Sequence, residues 1–142
     1  MEYEQLKLEN QICFPLYACS REVIKKYTPF LSDIDLTCTQ YLAMMVLWEK
    51  KELSVKELGE KLHLDSGTLS PMLKSLEKKG LICRSRSSAD ERVLMVKISE
   101  DGENLKEKAK DIPLKMAGCV NLDPEDAKTL YTLLYKLIGK IK

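Results

Sequence analysis

The stretch Leu53-Ser-Val-Lys-Glu-Leu-Gly-Glu-Lys-Leu62, joined by His63-Leu64-Asp65 to Ser66-Gly-Thr-Leu-Ser-Pro-Met-Leu-Lys-Ser-Leu-Glu-Lys-Lys79, decides the fold. Ser54 is a natural N-cap for a first short helix with Val55, Leu58 and Leu62 on one face. Asp65 caps a second helix on which Leu69, Leu73 and Leu76 form an i, i+4, i+7 stripe, and Gly80 suits the position just past its end. Two short helices with a tight joint make a helix-turn-helix. Directly after it the apolar period changes from 3.6 to 2, with Ile82 alternating with Cys83, then Leu94, Val96 and Ile98 alternating with Val93, Met95 and Lys97. The polar run Ser87-Ser-Ala-Asp-Glu-Arg92 between them has the length of a hairpin loop. A helix-turn-helix backed by a basic hairpin is a winged helix.

Working outward, residues 6 to 27 show two adjacent stripes at helical spacing (Leu8, Ile12, Leu16, Cys19, Val23 and Leu6, Cys13, Tyr17, Ile24, Tyr27), so one broad-faced helix is expected, kinked at Pro15. A break is expected from Pro29 to Asp35, and then a core helix from Thr37 to Lys50 whose apolar residues cover most of its surface. Ser99 caps a further helix interrupted at Pro113, and Asp123-Pro124 opens a last one striped by Leu130, Leu134, Leu137 and Ile141. The expected architecture is mainly α with a small β-hairpin wing, in a single domain over residues 1–142. Residues 1–36 and 99–142 give dimerisation helices, and residues 37–98 a DNA-binding lobe with its wing at 81–98.

A chain of 142 residues, 44% apolar and 32% charged, has material for one core of ordinary size. The net charge of +1 hides an asymmetry: residues 1–49 carry −3, residues 50–98 carry +4 and residues 99–142 are neutral. The basic part coincides with the helix-turn-helix and hairpin, as a nucleic-acid-contacting unit requires. No signal peptide or membrane-spanning run is read, so a cytoplasmic protein is expected. The five cysteines have no CxxC spacing and His63 is the lone histidine, which argues against a metal site; no cofactor motif appears. A thiol peroxidase is disfavoured, because neither a recycling CxxC nor a peroxide-polarising group beside a cysteine is visible.

On the second helix of the motif, the face opposite the leucines carries Ser66, Thr68, Ser70, Pro71, Lys74 and Lys78. Small hydroxyl residues let the backbone approach duplex DNA, and the lysines meet phosphates. Pro71 lies inside the helix, and the sequence leaves open whether the helix bends there. The hairpin adds Arg84, Arg86 and Arg92, with Asp90 placed to hold Arg92 for a minor groove.

Three runs, Asp65-Ser-Gly-Thr-Leu-Ser-Pro-Met-Leu-Lys-Ser-Leu-Glu-Lys-Lys-Gly-Leu81, Asp90-Glu-Arg92 and Ile98-Ser-Glu-Asp-Gly102, resemble the MarR family of transcriptional regulators. The run Leu8-Glu-Asn-Gln-Ile-Cys-Phe14, with Tyr17, Lys26-Tyr-Thr-Pro29 and Gln40-Tyr-Leu42, resembles its OhrR branch, which senses organic hydroperoxides and other oxidants. The resemblance spans nearly the whole chain and departs freely only over about residues 114–122. It implies a homodimer that leaves an inverted-repeat operator when an N-terminal-helix cysteine, here Cys13, is oxidised. It also implies that Tyr27 of the other subunit donates its hydroxyl to the Cys13 sulfur, across an apolar pocket that includes Phe14, Phe30 and Tyr41.

Attack on an O–O bond needs a reachable thiolate held by donors or positive charge, and Tyr17 lies one turn from Cys13. This chain departs from the family pattern at Cys38, which stands where a second sulfur-binding tyrosine is expected. Cys38 would then be a weaker donor, or it would condense with oxidised Cys13 across the dimer. Two-cysteine members of the family make Cys119 a second candidate for that step, and a small-molecule thiol is a third. The competing reading is a MarR-type regulator that responds to a small anionic aromatic ligand, with Cys13 structural.

Overall fold

The computed structural model describes residues 1–141. Two 3-10 turns (Glu4–Leu6 and Leu8–Asn10) precede α1 (Cys13–Ser32), α2 (Cys38–Lys50), β1 (Glu52–Ser54), α3 (Val55–Leu62), α4 (Ser66–Lys78), β2 (Ile82–Arg86), β3 (Leu94–Ile98), α5 (Glu100–Ala109), α6 (Ile112–Cys119) and α7 (Pro124–Lys140). Residues Met1–Ile112 pack as one compact unit and Pro113–Lys142 as a second. None of the helices among the described residues is long and apolar enough to cross a membrane.

In the first unit α2 is the centre, packed against α1, α3, α4, α5 and the sheet. Its inner face buries Tyr41, Met44, Leu47 and Trp48, which meet Leu58, Leu69, Leu73 and Leu76 from the two helices of the motif. Each such side chain contributes about 1.5–3 kcal/mol when fully removed from water. Leu42 and Met45 face outward, so α2 is less fully enclosed than its composition suggests. Capping fixes the starts of the helices. Thr37 on α2 and Ser54 on α3 form complete capping boxes with Gln40 and Glu57, while Asp65 accepts the Thr68 N–H at 2.8 Å to open α4.

Three sequence-based expectations change. The N-terminal helix begins only at Cys13, so Pro15 falls in its first turn, where its missing N–H has no helical partner to lose, and no kink follows. Leu6 and Leu8 lie in the two separate 3-10 turns, and with Ile12 they are exposed; their helical spacing belongs to an apolar surface, not to one continuous helix. The helix also runs through Pro29 to Ser32, where a break is expected from the sequence. The third difference is an extra strand. β1 pairs antiparallel with β3, and β3 with β2, giving a three-stranded sheet in the order β1-β3-β2 in place of a lone hairpin.

Pro71 lies inside α4 without ending it. The residue four positions back, whose carbonyl the proline ring crowds and leaves unpaired, is Gly67, and both residues are exposed on the outer face.

The Thr68 amide and hydroxyl hold the Asp65 carboxyl below its ordinary value, and Arg92 does the same for Asp90. A carboxylate with a lowered folded-state pKa contributes stability that is present above the unfolded value and lost as pH falls through the folded one. Asp65→Asn keeps a capping acceptor that does not titrate, so urea melts between about pH 2 and pH 5 should show a shallower acid loss for this variant than for the wild type.

Candidate DNA-reading and thiol sites

On α4 the buried Leu69, Met72, Leu73 and Leu76 anchor one face, and Ser66, Thr68, Ser70, Pro71, Lys74 and Lys78 are all exposed on the other. The N-terminal half of this outer face is small and hydroxyl-bearing, and the C-terminal half is cationic. In the wing, Arg92 donates from Nε and Nη2 to the two carboxylate oxygens of Asp90 at 3.1 and 3.2 Å, while its side chain stays 90% exposed. The loop closes through Ser87 N–H to Val93 O and Val93 N–H to Asp90 O. Arg86 is exposed at the end of β2.

Arg84 differs from the other wing arginines. Its Nη2 donates to Glu77 Oε1 at 3.2 Å, its backbone N–H donates to Glu77 Oε2 at 3.0 Å, and the side chain is largely covered. The structure thus places this guanidinium on α4, where it ties that helix to the wing, and the Arg84 backbone N–H first, then its side chain, lower the Glu77 carboxyl. Glu77 is the signal that sequence reading missed, because nothing in its spacing announces a partner seven residues on in a strand.

The thiol residues form two separate groups. Cys13 is exposed as the first residue of α1, a helix end without a side-chain cap. One turn on, Tyr17 is 60% exposed and held by Arg21, whose Nη1 donates to the phenol oxygen at 3.3 Å and whose guanidinium sits 5.6 Å from the ring centroid. Residues 13, 17 and 21 thus share one helical face, a spacing that could have flagged Arg21 from the sequence. The second group gathers where the later part of α1 meets α2. Tyr27 and Tyr41 have ring centroids 5.7 Å apart, and Tyr41 packs edge-on to Trp48 at 6.3 Å. Cys38 belongs with them: burial pushes its thiol up, and burial followed by the nearby Cys38 raises the Tyr27 hydroxyl. Tyr41, only 3% exposed, is raised by burial first, then by Tyr27 and Cys38. Cys38 and the two phenols near it are thus each favoured in their neutral forms.

Cys19 and Cys83 are exposed, and Cys119 is exposed at the end of α6. Among the described residues no group of His, Cys, Asp and Glu is arranged to hold a metal ion.

The family of SarA/Rot transcriptional regulators matches residues 25–109, which run from the later half of α1 to the end of α5. The organic hydroperoxide resistance transcriptional regulator of Bacillus subtilis (strain 168) is 51% identical over 137 residues, covering 96% of this chain and 93% of that one. The chain belongs to the MarR-type transcriptional regulators, in their OhrR-like branch. Among solved structures, reduced AbfR bound to DNA superposes with a TM-score of 0.80 at 31% identity, covering 98% of this chain and 96% of that one. Disulfide-formed AbfR gives 0.66 at 33% identity, with 95% of each chain covered; AbfR comes from Staphylococcus epidermidis. These relatives are regulators, not enzymes, and the winged-helix family expected from residues 65–102 is the one found.

Within that family the region of greatest divergence expected from the sequence, about residues 114–122, lies outside the matched span and in the second compact unit. The matched span holds Tyr27, Cys38, Tyr41 and every wing and α4 residue named above, whereas Cys13 and Tyr17 precede it.

Proposed function

We propose that this protein is a cytoplasmic, homodimeric repressor whose operator binding is switched off when an organic hydroperoxide oxidises Cys13. The separation of the two thiol groups along α1 carries this reading. Cys13 and Tyr27 stand fourteen residues apart on one helix, about 21 Å at 1.5 Å per residue, so Tyr27 cannot serve the sulfur of its own chain. A second copy can. The exposed Phe14, Leu16, Val23 and Ile24 of α1 offer it an apolar surface of the kind soluble proteins seldom leave open, and α7 separately exposes Leu130, Leu133, Leu134 and Ile138. In the dimer Cys13 faces the partner's Tyr27, Cys38 and Tyr41, with Tyr17 and Arg21 beside it.

The chemistry then balances simply. The Cys13 sulfur attacks the terminal oxygen of the hydroperoxide, the O–O bond breaks, and the alkoxide takes a proton and leaves as the alcohol, giving a sulfenic acid. The thiol of Cys38 condenses with that acid, expelling water and forming an intersubunit S–S bond. Cys119 or a small thiol would do the same chemistry from elsewhere. Cys38→Ser separates these routes: after hydroperoxide, loss of the disulfide-linked dimer on non-reducing gels assigns the step to Cys38, and its persistence excludes Cys38.

On DNA, α4 enters the major groove with Ser66, Thr68, Ser70 and Pro71 at the base edges and Lys74 at the backbone, while Arg86 and the Asp90-held Arg92 reach the flanking minor groove. Arg84, committed to Glu77, is left out of this set. Selection from a random-sequence duplex pool with reduced protein tests the assignment. An enriched inverted repeat bound by two chains is expected, and enrichment of an unrepeated site bound by one chain overturns it.

A further inference from the structure

The first turn of α2, which carries Cys38, is tied to α4 by more than helix capping needs. In the capping box the Gln40 N–H donates to Thr37 Oγ1 at 3.2 Å and the Thr37 N–H donates to Gln40 Oε1 at 3.0 Å. The Gln40 amide then continues to α4. Its Nε2 donates to Ser75 Oγ at 3.0 Å, and its Oε1 accepts a second hydrogen bond from Lys79 Nζ at 3.1 Å. Lys79 also donates to the Asp35 carbonyl, in the loop just ahead of Thr37, and pairs with the Asp35 carboxylate at 3.8 Å. Both acceptor positions of the Gln40 oxygen are thus used, and the residue is 4% exposed.

The equivalent box on α3 offers the contrast. Glu57 closes on Ser54 of its own helix, stays exposed and reaches no other element through that carboxylate. Capping alone therefore does not call for a buried amide with two partners on another helix. Gln40 is the enclosed member of this part-buried network, and a shift that parts it from Ser75 and Lys79 leaves its amide short of partners away from water. Ser75 and Lys79 each follow directly after an outward-facing lysine of α4, Lys74 and Lys78. A shift of the first turn of α2 is therefore passed by hydrogen bonds to Ser75 and Lys79, the immediate chain neighbours of Lys74 and Lys78.

We propose that Gln40 is the positioning residue through which the state of the thiol pocket at Cys38 sets the placement of α4 on DNA. The inference rests on the reading that oxidised Cys13 acts on the partner's Tyr27–Cys38–Tyr41 cluster. Displacement of Cys38 moves Thr37 and Gln40 with it, and Gln40 carries the change to Ser75 and Lys79.

The test uses the full chain, the duplex selected by the reduced protein, and cumene hydroperoxide as oxidant, with Cys13 oxidation followed by intact mass in the same samples. Because Gln40→Leu strands the Thr37 N–H and risks misfolding, the cut is made on the α4 side with the double variant Ser75→Ala/Lys79→Met, which leaves the capping box whole. For the wild type, oxidation is expected to weaken binding by about a hundredfold or more; for the double variant, oxidised to the same extent, the ratio of oxidised to reduced Kd should fall below about tenfold. Gln40→Glu, which keeps the cap acceptor and strengthens the link to Lys79, should keep a ratio within about threefold of wild type. A double variant that oxidises fully and still releases DNA with the wild-type ratio overturns the relay. A wild-type protein that stays bound with Cys13 fully oxidised removes the redox reading itself, and the relay with it.

Discussion

Cys13→Ser is expected to hold its selected duplex unchanged through a hydroperoxide treatment that weakens the wild type by more than a hundredfold, corresponding to about 3 kcal/mol between the two states. The serine keeps the size and hydrogen-bonding capacity of the cysteine at an exposed helix end, so folding and reduced-state binding should both survive. What it lacks is a sulfur able to take oxygen from the peroxide. Cys38 does not replace it: burial raises that thiol and so slows its attack on free peroxide, whereas its condensation with a Cys13 sulfenic acid is helped by the acid being held beside it. Electrophoretic shift or fluorescence anisotropy, with each protein treated in parallel, reads the effect. A Cys13→Ser protein that releases DNA like the wild type would move the sensor elsewhere and favour the small-ligand account.

The second large effect concerns the joint between wing and body. Gly102 sits in the first turn of α5, where its N–H bonds Ser99 Oγ and its carbonyl accepts the Trp48 indole N–H at 2.8 Å. The same Ser99 hydroxyl donates to the Gly80 carbonyl, and Gly80 turns the chain out of α4 with φ of 78°. A Cβ at Gly102 would lie 2.3 Å from the Leu81 carbonyl oxygen and 2.7 Å from Ile98 Cγ1. The first is backbone, so strand and helix must part to admit it. Gly102→Ala should therefore cost about 3 kcal/mol, at the upper end for overpacking. Denaturant melts followed by the fluorescence of Trp48, the lone tryptophan, would detect the loss and any change around the indole. Gly139→Ala is the matched control. Nothing lies within 4 Å of its added methyl, and the helix should gain about 0.5–1 kcal/mol.

The parts of this fold that were legible in the sequence are those whose cause is local. Ser54, Asp65, Ser99 and Asp123 each sit one step ahead of a helix and cap it with a side-chain oxygen, so a few adjacent residues suffice to place the start. Period 2 in residues 94–98 gave β3 for the same reason. What was missed depends on distant partners. β1 has three residues, too few to alternate, and it exists because β3 offers an edge to Glu52–Ser54. Leu6 and Leu8 carry helical spacing but lie in 3-10 turns that bury nothing, and Ile12 precedes α1 exposed.

The site divides in the same way. The outward face of α4 and the Arg92–Asp90 pair could be read from spacing alone, since both are short-range. Arg84 could not be told from Arg86 and Arg92 without Glu77, and nothing near Gln40 in the sequence announces its contacts with Ser75 and Lys79, 35 and 39 residues away. For the thiols, the length of α1 keeps Cys13 and Tyr27 of one chain apart, toward opposite ends of the helix, a distance that follows from the sequence only once the helix is known to be continuous.

The most direct test of the central claim is to follow, in one sample of wild-type protein on its selected duplex, the fraction of DNA released and the fraction of Cys13 oxidised as organic hydroperoxide is added in sub-stoichiometric steps. The account predicts that release rises with Cys13 oxidation, is complete within about one or two equivalents per dimer, and reverses when a thiol reductant restores the cysteine. Full oxidation of Cys13 with the duplex still held, or release while Cys13 remains a thiol, would contradict it.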